Sequence, residues 1–160
     1  MQFKFTQENL ERINNEIKKY PVKQPAVMAA LYVGQEQNGY ISQEVIKEVA
    51  EVLEMHSHDV MGVVSFYTMY HQKPMGKNHI QVCTNVSCML RGGYEIWNQV
   101  KDKLGIDNWE ITTDQKFSLE EVECMGSCGT APMFAVNEDF YENLTKEKVE
   151  EIIESLKNAN

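Results

Sequence analysis

Four cysteines carry the metal and redox chemistry open to this chain. Cys83 and Cys88 are separated by Thr84-Asn85-Val86-Ser87, and Cys124 and Cys128 by Met125-Gly126-Ser127. There is no other cysteine among the 160 residues. Two tight thiol pairs, distant in sequence, supply four metal-ligand positions once the fold joins their loops. Zinc ribbons and thiol–disulfide redox motifs commonly use two-residue gaps. A four-residue gap occurs instead among the ligands of [2Fe–2S] centres. The longer loop can wrap bridging sulfides and turn backbone N–H groups toward them.

Such a centre is anionic, so its surroundings must offer positive potential without a competing proton donor. Backbone N–H groups and a helix N-terminus meet that need. The sequence offers both: a helix expected to start near Leu90 would aim its N-terminus at Cys88, and Gly126 and Gly129 flank Cys128. Glycine permits the positive φ that turns N–H groups inward. Gly92-Gly93 allows a similar close approach, and Arg91 could add a charge. Met89, Met125, Met133 and Phe134 crowd the motif, where apolar packing also shields a cluster from water.

The elements that must position these thiols fall into two halves. The first reads as four helices. Thr6 caps one carrying Leu10, Ile13 and Ile17, which Tyr20-Pro21 ends because a residue before proline avoids the α region. Pro25 starts a second, buried over residues 26–33, and Asn38-Gly39 stops it. Ser42 caps a third with Val45, Val49, Val52 and Leu53 on one face, and Ser57 a shorter fourth reaching Phe66. Helices with short connections make a small bundle. Its exposed-looking aromatics, Tyr32, Tyr40, Phe66, Tyr67 and Tyr70, suit a partner interface.

The Pro/Gly segment Lys73-Pro74-Met75-Gly76-Lys77 marks a boundary, giving expected domains 1–73 and 74–160. Beyond it, residues 79–83 alternate as a strand. Residues 90–104 read as a helix with Leu90, Tyr94, Trp97, Val100 and Leu104 on one side. Residues 117–124 form a strand and 133–136 a short one, with 140–142 returning across a turn at 137–139. Thr145 caps a last helix bearing Val149, Ile152, Ile153 and Leu156; Lys148 stands where a capping box needs Glu or Gln. The expected fold class is α+β: an N-terminal helical bundle, then a thioredoxin-like α/β domain. In this layout Cys83 and Cys124 end strands, Cys88 precedes a helix and Cys128 follows in a loop.

Composition excludes several roles. Net charge is −9 with no basic stripe, which disfavours nucleic acid and anionic membranes. Acidic positions such as Glu147, Glu150, Glu151 and Glu154 suit a solvated helix face. The longest apolar run, 60–70, is too short to span a bilayer, and the start Met1-Gln2-Phe3-Lys4-Phe5-Thr6 has no signal-peptide core. These features place the chain in the reducing cytoplasm, where structural disulfides are disfavoured. Gly34 and Gly39 are isolated, and Pro74-Met75-Gly76-Lys77 lacks a P-loop's length, so no nucleotide site is expected. Four cysteines leave His56, His58, His71 and His79 no required ligand role.

Several blocks together resemble a known family. They are Cys83 to Cys88 followed by Leu90-Arg91-Gly92-Gly93, and Cys124-Met125-Gly126-Ser127-Cys128-Gly129-Thr130-Ala131-Pro132-Met133 followed by Val136-Asn137. Tyr141, Leu144, Thr145, Gly39-Tyr40-Ile41 and residues 63–67 extend the match over roughly 5–157, with Ser65 where threonine is frequent. The resemblance is to the small thioredoxin-like [2Fe–2S] subunit of the NADH-dehydrogenase module of respiratory complex I, with relatives in NAD-dependent hydrogenases and formate dehydrogenases. It implies one [2Fe–2S] cluster on Cys83, Cys88, Cys124 and Cys128. It also implies a flavoprotein partner carrying FMN, a [4Fe–4S] cluster and the NADH site. The chain would then be a non-autonomous, peripheral electron-transfer subunit, joined to the membrane only through its parent complex.

Two other functions compete. A four-cysteine zinc-stabilised interaction module uses the same ligands. A thiol–disulfide enzyme would want a two-residue gap, which is absent, and a cysteine at a helix start, which Cys124 is not. Colour separates the first two, since a [2Fe–2S] protein is reddish-brown and a zinc protein colourless.

Overall fold

Polar caps and apolar periodicity set the helices of the first unit. The computed structural model describes residues 3–159 and divides the chain into Met1–Pro74 and Met75–Asn160. Met1, Gln2 and Asn160, which enter the N-terminal reading and the expected domain limits, lie outside the described residues. Helix α1 spans Gln7–Ile17, and the Thr6 side chain accepts from the Asn9 N–H at 3.3 Å. It stops before Pro21, its last turn tightening through Lys19 N–H to Glu16 O at 3.0 Å and Tyr20 N–H to Ile17 O at 3.1 Å.

A 3₁₀ turn, Gln24–Ala26, with Pro25 in its first turn, leads into α2, Val27–Asn38. This helix runs past its buried stretch to the expected stop at Asn38-Gly39, and its polar end ties neighbouring segments together. Gln37 accepts from Asn9 Nδ2 at 2.8 Å and donates to Lys4 O at 2.8 Å; Gln35 accepts from the His71 N–H at 2.7 Å. Gly39 ends it at φ +84°, a left-handed conformation that costs glycine little.

Ser42 caps α3, Gln43–Leu53, accepting from the Val45 N–H at 3.3 Å. Helix α4 is Ser57–Phe66; Ser57 is its first residue rather than its cap, which is His56 and makes no side-chain capping bond. Ile13, Leu31, Val45, Val49, Leu53 and Val60 centre the helical core. Tyr70 corrects the exposed-aromatic reading: it is 3% exposed and donates its hydroxyl to Met28 O at 3.0 Å. Phe66 is 77% exposed.

The second unit is a four-stranded mixed sheet in the order β2-β1-β3-β4. Strand β1 is Asn78–Cys83, β2 Phe117–Val122, β3 Phe134–Val136 and β4 Asp139–Tyr141. β1 runs parallel to β2 and antiparallel to β3, which forms a hairpin with β4. Ile80 and Val82 share a face with Leu119, Phe134 and Val136, and that face receives Trp97 and Val100 of α6 (Gly93–Leu104) and Val149 and Ile153 of α7 (Lys146–Asn158). Thr145 caps α7, accepting from the Lys148 N–H at 3.3 Å. Among the described residues no helix is long and apolar enough to cross a membrane.

Candidate metal centre

The parallel pair explains how two distant cysteine loops come to adjoin. Parallel strands end on the same side of a sheet. Cys83 is the last residue of β1 and lies in register with Val122, the last of β2. The second strand thus ends two residues before Cys124 rather than at it. Three further bonds tie the exits together. The Thr84 N–H donates to Val122 O at 3.3 Å, Thr84 Oγ1 donates to Glu121 Oε1 at 2.7 Å, and Asn85 Nδ2 donates to the Glu123 carboxylate.

Cys88 does not precede its helix. It is the third residue of a five-residue helix, α5 (Val86–Leu90), whose cap, Asn85, accepts from the Val86 N–H at 2.7 Å. The expected single helix over 90–104 is broken, because Gly92 adopts φ +92° and α6 starts afresh at Gly93. The break resets the rotational phase, so Trp97 and Val100 are buried while Leu90, at 77%, and Tyr94, at 46%, are exposed. Gly93 sits against the first cysteine pair. A Cβ there would lie 2.9 Å from both the carbonyl carbon and oxygen of Cys88 and 3.1 Å from Cys83 O.

The four thiols are asymmetric. Cys83 and Cys88 are each 2% exposed and pack with Ala131, Met133 and the half-buried Met125. Cys124 and Cys128 are exposed, and their sulfurs stand 3.3 Å apart. Burial pushes the Cys88 thiol up to about 11, helped by its hydrogen bond with Cys83. In the outer pair the Gly126 N–H points at Cys124 Sγ, 3.4 Å away, and lowers that thiol's pKa; Cys128 adds to the effect. Cys128, hydrogen-bonded to Cys124, holds its own proton more tightly. The nearby Ser87 hydroxyl works in the opposite direction on the Cys128 thiol. Both cysteine pairs therefore lie at the same end of the parallel strands, with Met125 of the second loop against the inner pair.

Among the described residues no three Cys, His, Asp or Glu side chains converge on a single ion position. The sulfurs stand as two pairs. A binuclear [2Fe–2S] group asks each iron to take two thiolates beside two bridging sulfides, so a paired donor set suits it.

Neighbouring residues divide between predicted and missed. Gly126 has φ +94° as its N–H role requires, whereas Gly129 has an ordinary φ. Arg91 donates to Ala131 O at 3.5 Å, bracing the second loop across the first. Met133 and Met125 line the inner pair, Met89 is exposed, and Phe134 belongs to the sheet core. His79 is buried against Ser118 Oγ at 2.9 Å and Glu120 Oε2 at 3.0 Å, while His56 and His58 stack on each other. The sequence reading missed the Thr84, Asn85, Glu121 and Glu123 ties. Their only trace is polar residues between the first cysteines and a Glu-Val-Glu run ahead of Cys124. It also missed the strap from Thr130 to the segment after β4: Thr130 Oγ1 donates to Glu142 Oε1 at 2.6 Å and the Asn143 N–H to Thr130 O at 2.7 Å.

Residues 13–157 match the sequence family described as thioredoxin-like [2Fe-2S] ferredoxin. A subunit of the NADH-quinone oxidoreductase of Rickettsia bellii is 48% identical over 159 residues, covering 98% of this chain and 95% of its own length. NADH dehydrogenase [ubiquinone] flavoprotein 2 of Dictyostelium discoideum, a mitochondrial protein, is 43% identical over 98% of this chain, which spans 64% of that longer protein. Among solved structures, a chain of an NAD+-reducing [NiFe]-hydrogenase superposes with a TM-score of 0.74 at 18% identity. The match covers 85% of this chain and 23% of that one, a likeness of fold.

Proposed function

Because the chain belongs to the thioredoxin-like [2Fe-2S] ferredoxin family, we propose that Cys83, Cys88, Cys124 and Cys128 together hold one [2Fe–2S] cluster. The chain has an electron-transfer role in an NADH-oxidising oxidoreductase and works as a non-autonomous subunit, not a free-standing enzyme. The observation that carries the ligand assignment is that β1 and β2 end in register, Cys83 opposite Val122, with Met125 of the second loop packed against the buried Cys83 and Cys88 and the Cys124 and Cys128 sulfurs 3.3 Å apart. When bound, the cluster supplies a one-electron centre. This chain's residues do the rest. The buried inner pair keeps water from one side, and the Gly126 N–H stabilises negative charge on Cys124 Sγ.

The partner in this reading is a flavoprotein carrying FMN, a [4Fe–4S] cluster and the NADH site. Hydride transfer delivers two electrons at once, so a flavin must stand between NADH and a one-electron centre. The near full-length likeness to a quinone-reductase subunit favours a quinone-linked parent over a hydrogenase- or formate-linked one. The helical unit and the sheet unit, taken as two domains meeting near 73–74, divide the work between docking and cluster binding. The subunit is cytoplasmic and peripheral, reaching the membrane through its parent complex.

Two measurements test the proposal. Cys124→Ser should abolish or badly distort the electron paramagnetic resonance signal of the reduced protein and lower its iron content. A normal signal at full occupancy would refute the ligand set. The purified chain should not oxidise NADH until its flavoprotein is added. Substantial oxidation by this chain alone, free of flavin, would refute the electron-carrier role.

A further inference from the structure

Access, rather than chain length, separates the two thiol pairs. Cys83 and Cys88 enclose four residues and Cys124 and Cys128 three, so loop-closure entropy barely distinguishes them. Their surroundings differ sharply. The inner pair is 2% exposed at each residue; the outer pair is exposed, with sulfurs 3.3 Å apart. Space is open beside the outer loop, since a Cβ at Gly126 or Gly129 would meet no atom within 4 Å. A disulfide bond of about 2.05 Å lies a small displacement away.

We propose that, in the free subunit before its cluster is loaded, Cys124 and Cys128 close into an intramolecular disulfide while Cys83 and Cys88 stay reduced. This rests on the reading of the four thiols as one ligand set, and it makes the outer pair a redox-controlled lock on that set. The oxidant is a low-molecular-weight disulfide such as oxidised glutathione. One outer thiolate attacks it, forming a mixed disulfide and releasing one glutathione thiol. The second outer cysteine attacks the protein sulfur of that adduct and releases the second glutathione thiol. One disulfide is consumed and one formed, and the two protons leave with the glutathione. The locked form lacks two thiolates, so cluster loading waits for a dithiol reductant.

The digestion pattern makes this measurable. Cleavage after Lys77, Arg91, Lys116 and Lys146 puts Cys83 and Cys88 in one peptide and Cys124 and Cys128 in another. The full chain, stripped of iron without oxygen and checked for native circular dichroism, is incubated with oxidised glutathione, alkylated, digested and weighed. The expected result is loss of two of the four titratable thiols, both from residues 117–146, with residues 78–91 doubly alkylated. Reduction with dithiothreitol should then restore iron–sulfur loading. In concentrated urea the preference should vanish, because burial no longer protects the inner pair. Equal oxidation of both peptides in the folded chain, a cross-link between them, a glutathione adduct that never closes, or a preference that survives urea would each overturn the inference. The ligand reading is tested apart from it. Full iron in Cys124→Ser would remove the ligand set while leaving the mapped disulfide standing.

Discussion

Replacing Gly93 with alanine sets two effects against each other. Alanine in a helix is favoured over glycine by up to about 1 kcal/mol, and less at a first position such as this one. Against that gain, the new Cβ would stand 2.9 Å from two backbone atoms of Cys88 and 3.1 Å from Cys83 O. Carbon contacts settle near 3.5–4.0 Å, roughly half an ångström or more farther out. Backbone cannot rotate away as a side chain can, so α6 or the cysteine loop must shift. Overpacking of this kind costs about 1–3 kcal/mol. The net expectation is a loss of about 1–2 kcal/mol, read as a lower urea midpoint at unchanged m-value. Trp97, buried in the sheet core, reports the transition by fluorescence. The same shift should lower iron retention, since both moved carbonyls belong to cysteines. Gly62→Ala is the control. It lies inside α4 with no atom within 4 Å of a built Cβ, and should gain about 0.5–1 kcal/mol by circular dichroism. If Gly93→Ala is as stable as the native chain and keeps its iron, the close approach described for Gly93 is wrong.

Burial pushes the Tyr70 phenol from 10.0 up to about 12. The folded state then keeps a proton that the unfolded state releases, so this contribution to stability is intact below pH 10 and is lost as pH climbs toward 12. Phenolate absorbance should show a late step that disappears in Tyr70→Phe; persistence of that step would assign it elsewhere. Thr84→Val removes the donor that binds Glu121 Oε1 at 2.7 Å and should cost about 1 kcal/mol with faster iron loss, checked by urea unfolding and iron release. Phe66→Asp, at a side chain 77% exposed, should leave folding and the cluster spectrum unchanged while weakening capture of the flavoprotein; undiminished capture would move the docking surface elsewhere.

Local signals were legible in the sequence, and signals that depend on distant pairing were not. Thr6, Ser42 and Thr145 announce helix starts because each cap bond spans only three residues. Cys83 could be placed at a strand end, since alternation stops there. Cys88 could not be placed correctly, because a five-residue helix offers too few turns to show a period. Leu90 and Tyr94 fit a helical face on paper, yet the positive φ of Gly92 interrupts the phase they rely on. Tyr70 looked like its exposed neighbours because burial depends on Met28, 42 residues away. The ties from Thr84 and Asn85 to Glu121 and Glu123 exist only once β1 and β2 pair in parallel, and no spacing along the chain reveals that register.

The central place of β1 has a mechanical consequence for the site. Its amides are laddered to β2 on one side and β3 on the other, so freeing Cys83 requires tearing two sets of strand bonds. The segment bearing Cys124 and Cys128 is held by few backbone bonds, among them Thr130 N–H to Ser127 O at 3.1 Å. Amide hydrogen exchange should register the contrast, with the Val82 and Cys83 region protected up to the global unfolding limit and residues 125–129 opening locally. In the proposed ligand set, one jaw of the thiol clamp is held by two strand ladders and the other by loop bonds. A clamp of that kind can absorb a change in bond lengths at its contents by moving only its outer jaw, without transmitting strain to the sheet.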